Sequence, residues 1–164
     1  MVPSMSDVTR WSRRGLILSA LALAACGAKT SQPMPSGLGA NGLYPNETPY
    51  LRSRITYWAR YYEVPSALVH RVIIRESHHR PWARNGPYYG LMQILPQTAR
   101  TMGYRGPASG LLDADTNLRY GVKYLRGAYL VAEGDPDLTI SWYSRGYYYE
   151  AKRKGLLKKT GLRS

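Results

Sequence analysis

The sequence predicts a mainly α, all-helical fold with one globular domain over residues 50–164. Three observations lead there. Apolar residues recur at helical rather than alternating spacing in one segment after another. Pro and Asp stand where those segments begin and Gly where several end. A stretch rich in Gly, Pro, Ser and Asn separates this region from a short apolar leader.

The leader comes first. Arg10, Arg13 and Arg14 precede an apolar run from Leu16 to Ala24, and Leu23-Ala24-Ala25 runs into Cys26, the one cysteine of the chain. That is the pattern of a lipoprotein signal peptide over residues 1–25, with Cys26 as the site of lipidation. The run is shorter than the roughly 20 residues a spanning helix needs, so acyl chains on Cys26 would anchor the protein to a membrane rather than a helix crossing it. Ser12-Arg13-Arg14-Gly15-Leu16 also fits twin-arginine export, although arginine pairs are common in such leaders. Gly27 stands where an Asp would signal inner-membrane retention, which favours a periplasmic protein anchored to the outer membrane. A single cysteine allows no intramolecular disulfide, so the domain must hold by packing. Residues 26–49, the cysteine and a segment without apolar period, read as a flexible tether; its coil span would be roughly 26 Å.

The helices follow in order. Leu51, Ile55, Trp58 and Tyr62 share one face of a helix over 50–63. A second begins at Pro65, where a missing N–H leaves no intrahelical bond unmade, and reaches about His78. Pro96 opens a short helix to Met102, which Gly103 ends. Asp113 or Asp115 caps the longest helix, to about Glu133, with Leu118, Val122, Leu125 and Tyr129 on its buried face. Gly121 inside it, unfavourable by about 1 kcal/mol against Ala, predicts close packing against another backbone. Asp135-Pro136 starts a helix to about Tyr143, and 147–157 forms the last.

Glu76 is the candidate for chemistry. Leu68, Val72, Ile73 and Glu76 lie on one helical face, so the carboxyl is expected to be partly dehydrated. Dehydration favours its protonated form, and a place in the last helical turn adds the negative end of the helix dipole, which acts the same way. A proton donor at neutral pH results. By itself the pattern is explained more readily by a solvated helix-end glutamate paired with Arg75, Arg80 or Arg84.

The residues around it narrow the choice. Glu76-Ser77, Pro81, Ala83, then Gly90-Leu91-Met92-Gln93-Ile94 with Pro96, Thr98 and Ala99, followed by Asn117, Gly121, Tyr124 and Leu125 and by Tyr143 with Gly146, stand in order over about residues 50–155. This series resembles the lytic transglycosylases with a goose-lysozyme-like domain. One segment departs from that family, with Ser144 where an Asn is usual and Arg145 beside it. The resemblance implies a lysozyme-like fold with a cleft, Glu76 as the catalytic residue, and substrate contacts from Ser77, Tyr89, Gly90, Met92, Gln93 and Tyr143. Met92 and Gln93 would line the cleft floor, and Tyr143 would sit near Glu76. It further implies that peptidoglycan is cut between N-acetylmuramic acid and N-acetylglucosamine, with closure of a 1,6-anhydro ring and no use of water. A hydrolytic muramidase and a non-catalytic peptidoglycan-binding protein are the alternatives, the second favoured by Ser144 and Arg145.

Composition bears on partners. Fifteen Tyr and four Trp with no Phe supply flat faces with polar edges, suited to sugar rings; Tyr88, Tyr89, Tyr143, Tyr147, Tyr148 and Tyr149 are candidate cleft walls. A formal charge of +13 attracts polyanions. Lys152, Arg153, Lys154, Lys158 and Lys159 would suit nucleic acid, yet an exported lipoprotein meets none; the cluster fits equally a basic surface for the carboxylates of peptidoglycan and a solvated C-terminal face. No metal or organic cofactor is expected. His70, His78 and His79 form no ligand set with other His or Cys, and His78 and His79 would point to different faces of a helix.

Overall fold

The computed structural model describes residues 35–163; the expected signal peptide, Cys26 and the first part of the tether lie outside them. Helix α1, Pro49–Tyr61, opens with the Thr48 hydroxyl accepting from the Leu51 N–H at 3.1 Å and with Pro in its first turn. Helix α2 spans Ser66–Ser77. Pro65 and His78, which the pattern placed inside it, stand just outside, with Pro65 extended and His78 left-handed. A two-stranded antiparallel ribbon follows, β1 (Arg84–Asn85) and β2 (Tyr88–Tyr89), paired Arg84 to Tyr89 and Asn85 to Tyr88. Strands this short carry no period to read, so the ribbon was not foreseen. Helix α3 (Pro96–Thr101) and a 3-10 segment (Ala108–Leu112) lead into α4, Ala114–Val131, capped by Asp113, which accepts from the Thr116 N–H at 2.8 Å. Helix α5, Pro136–Arg145, is capped by Asp135, and α6 covers only Tyr148–Arg153, because Gly155 turns left-handed (φ 69°) soon after.

Helix α4 is the spine. It packs against α1, α3 and α5, and Leu118, Val122, Leu125 and Ala128 on its inner face are fully buried against Ile55, Leu68, Ile73 and Leu91. Each buried Leu, Ile or Val among them contributes about 1.5–3 kcal/mol. Gly121 does lie at a close approach, but the neighbour is a side chain and not a backbone: a Cβ there would come within 2.6 Å of the Met92 sulfur. Asp115, the other candidate cap, instead accepts from Trp58 Nε1 at 2.8 Å and from Arg54 Nε at 2.5 Å, which ties α4 to α1.

The tether reading needs one correction. Tyr44 is 3 % exposed and Glu47 7 %, and the Asn46 side-chain amide donates to the His78 carbonyl at 2.9 Å, so the chain belongs to the domain from Tyr44 onward. These anchors are isolated side chains without a period, so composition alone read the segment as linker.

Candidate active site

Glu76 is the penultimate residue of α2, and the helix stops just beyond it because His78 and His79 both take left-handed backbone (φ 51° and 58°). The His78 N–H reaches the Ile73 carbonyl at 3.0 Å, closing the last turn. Two consecutive left-handed non-glycine residues are strained, and the Asn46 clamp on His78 helps hold them. The Glu76 side chain is 22 % exposed, sunk in the wall of a groove and neither dry nor open. Burial raises its pKa above the ordinary glutamate value, and the Arg75 guanidinium at 3.3 Å pulls it partly back. Among the described residues no hydrogen-bond donor engages its carboxyl oxygens, which are left to face the groove.

The groove beside it is continuous. A central hollow of about 310 Å³ is lined by Arg75, Glu76, Asn85, Tyr88, Gln93, Tyr143 and Ser144. On one side it runs on past Arg80, Trp82 and Arg84, and on the other past Thr98, Tyr124 and Arg145. Among these lining residues Glu76 is the sole carboxylate, against four arginines, Arg75, Arg80, Arg84 and Arg145, none of them paired to a second acid in the groove.

The loop from Ala83 to Ile94 forms the groove floor and is fastened from below. The Asn117 side chain on α4, fully buried, accepts from the Met92 N–H at 2.9 Å and donates to the carbonyls of Tyr89 (2.8 Å) and Leu111 (2.7 Å). Gly90 lies against it in left-handed backbone (φ 72°), and any Cβ would collide with the Asn117 amide and the Leu111 carbonyl. The Gln93 amide donates to the carbonyls of Ala83 (3.1 Å) and Gly90 (2.8 Å), which leaves its oxygen as the group it can offer a ligand. Tyr143 donates to the Met92 carbonyl at 2.8 Å, and burial holds its hydroxyl well above the ordinary tyrosine pKa, so it stays protonated.

The residues expected to touch substrate therefore divide. Glu76, Gln93 and Tyr143 line the groove. Ser77 does not: it is fully buried and its hydroxyl donates back to the Ile73 carbonyl at 3.3 Å. Met92 is fully buried beneath the floor, and Gly90 serves the Asn117 clamp. Tyr89 turns away from the groove, packing beneath Arg84 on the second cluster of the core, and its strand neighbour Tyr88 faces the groove instead. Adjacent strand residues point to opposite sides, so one of the two had to turn inward. Of the other tyrosines, Tyr147 is core, donating to the Tyr124 carbonyl at 2.9 Å, while Tyr148 and Tyr149 are exposed outside the groove lining. Trp82, 67 % exposed in the lining, was missed; an aromatic in the loop directly after the Glu76 helix was the available signal. Ser144 accepts from the Arg75 guanidinium and donates to the Ile140 carbonyl at 2.9 Å, so the residue that departs from the family pattern holds Arg75 beside Glu76.

The histidines also differ from expectation. The helix ends before them, His78 is exposed, and His79 turns inward to meet His70, Nε2 to Nδ1 at 3.0 Å, with Glu47 adjoining.

Two comparisons bear on this arrangement. The crystal structure of the 70 kDa soluble lytic transglycosylase from Escherichia coli is similar with a TM-score of 0.54 at 23 % identity, over 66 % of this chain and 18 % of that one. That likeness supports the lysozyme-like, mainly helical fold. The model of the transglycosylase SLT domain matches residues 53–160, which contain α1 through α6 almost entirely and the whole groove, and on that match the chain belongs to the transglycosylase SLT domain family.

Proposed function

We propose that this protein is a peptidoglycan lytic transglycosylase that cleaves the β-1,4 bond between N-acetylmuramic acid and N-acetylglucosamine and leaves a 1,6-anhydro end. The observation that carries the reading is a groove with one half-buried carboxyl and no second acid in its lining. Ordinary glycoside hydrolysis uses two carboxylates, one as acid and one as base or nucleophile. With one, the substrate must supply the rest. Glu76 gives its proton to the bridging oxygen as the C1–O bond breaks, and the neighbouring N-acetyl carbonyl oxygen closes on C1. Glu76, now a carboxylate, takes the proton of the C6 hydroxyl as that oxygen displaces the acetamido oxygen at C1, so acid and base are the same group and no water is consumed. A raised pKa suits both steps.

The remaining lining fits the substrate. Trp82 and Tyr88 offer exposed faces for sugar rings, and the four groove arginines offer charge to the lactyl and peptide carboxylates. Cys26 would carry the lipid that keeps the enzyme in the periplasm at the outer membrane, within reach of the wall.

Digestion of purified sacculi followed by mass spectrometry of the muropeptides tests the reading. Anhydro ends, lighter by one water than reducing ends, are the expected product. Reducing ends would make the protein a hydrolase, and intact sacculi a binding protein. Glu76→Gln should lower product formation about 10³-fold or more while binding to sacculi persists.

A further inference from the structure

Outside the groove, Glu47, His70 and His79 meet in the interior from three separate places: the segment before α1, the middle of α2 and the turn after it. One donor atom from each lies within 4.8 Å of the other two, and the side chains of Glu47 and His70 are completely buried, with His79 1 % exposed. His70 uses Nδ1 toward His79 at 3.0 Å, but its Nε2 has no hydrogen-bond partner. The nearest acceptor, Glu47 Oε1, stands 3.8 Å away, too far for a hydrogen bond. It is close to the roughly 3.3 Å that separates two N/O ligands bound at about 2.0–2.1 Å around a tetrahedral metal. A buried nitrogen without a partner, facing a carboxylate across such a gap, is a geometry that a cation could bridge.

We propose that Glu47, His70 and His79 form a binding site for a divalent transition cation of the zinc class, and that the Arg52 guanidinium is the charge this cation displaces. Arg52 reaches Glu47 from the rim, donating to both carboxylate oxygens at 2.6 Å, with 27 % of its side chain exposed, so it can swing outward. The donor set matches zinc: two imidazoles and a carboxylate, with water or the second Glu47 oxygen as the fourth ligand. Each neutral imidazole keeps one lone pair and one N–H, so a cation that took His79 Nε2 would replace its hydrogen bond with His70 Nδ1. A bound metal would fasten the docked segment at Tyr44–Glu47 to the middle of α2 and to the turn that follows Glu76.

The test uses the full chain carrying Cys26→Ser, which removes its one thiol, titrated with Zn²⁺ by calorimetry and with Co²⁺ by visible absorption. The expected result is one saturable site per chain with the intense absorption of four-coordinate cobalt, a rise in Tm with Zn²⁺, and a shift of the His70 imidazole ¹⁵N resonances in the otherwise unaltered chain. His79→Gln should weaken Zn²⁺ binding by more than the roughly 10–100-fold typical of losing an outer-shell partner. Arg52→Gln should tighten it, whereas loss of a merely structural ion pair would not, and His78→Ala, which alters an exposed histidine, should change nothing. No saturable binding, unmoved His70 resonances, or binding lost with His78→Ala would overturn the proposal and leave a hydrogen-bonded histidine pair.

Discussion

At the scale of single residues, the account turns on how two opposite influences on Glu76 balance. Burial favours the protonated acid, and Arg75 at 3.3 Å favours the carboxylate. Removing the guanidinium must therefore raise the Glu76 pKa further. Arg75→Gln should move the alkaline limb of kcat/KM to higher pH, a shift read from initial rates on sacculi across a pH series. The stability consequence of Glu76 runs the other way from that of a salt-bridged acid. A carboxyl whose folded pKa is raised binds more protons folded than unfolded, so its contribution falls as pH rises through that window and the ionised form is a net burden at neutral pH. Glu76→Gln should accordingly keep or slightly raise Tm at pH 7 while it removes activity.

At the scale of elements, the groove floor depends on one side chain of α4. Asn117 satisfies three backbone groups at once, two of them in a loop that has only a two-residue ribbon of its own and the third at Leu111 in the 3-10 segment. Asn117→Ala leaves these groups without partners, and a loss of about 3 kcal/mol or more is expected from denaturant unfolding. The helices were legible from sequence because they announce themselves by period and by caps, as at Asp113 and Asp135. The loop was legible only as a pattern. Gly90, Met92 and Ser77 belong to the recurring motif, yet their work is to pack, clamp and close a helix, not to touch a ligand. Presence in a motif does not say which way a side chain turns, and the choice between Tyr88 and Tyr89 depended on the ribbon's register.

At the scale of the whole molecule, the domain extends further toward the N-terminus than its apolar period does. Tyr44 stacks on His79 with ring centroids 5.0 Å apart and planes 8° from parallel, which joins the segment before α1 to the turn after α2. No periodic signal marks such a contact, because it is made by one side chain across more than thirty residues of chain. Tyr44→Ala should cost about 3 kcal/mol of stability, measured by the same denaturant titration, whereas a flexible tether would tolerate the change. The docked segment, the strained turn and the Asn117 clamp act together to hold one carboxyl half-dry beside a groove. The most direct measurement of that claim is a ¹³C NMR titration of the Glu76 side chain, assigned by the signal that Glu76→Gln removes. A titration midpoint above the ordinary glutamate value is the predicted result, and a midpoint at or below that value would contradict the account.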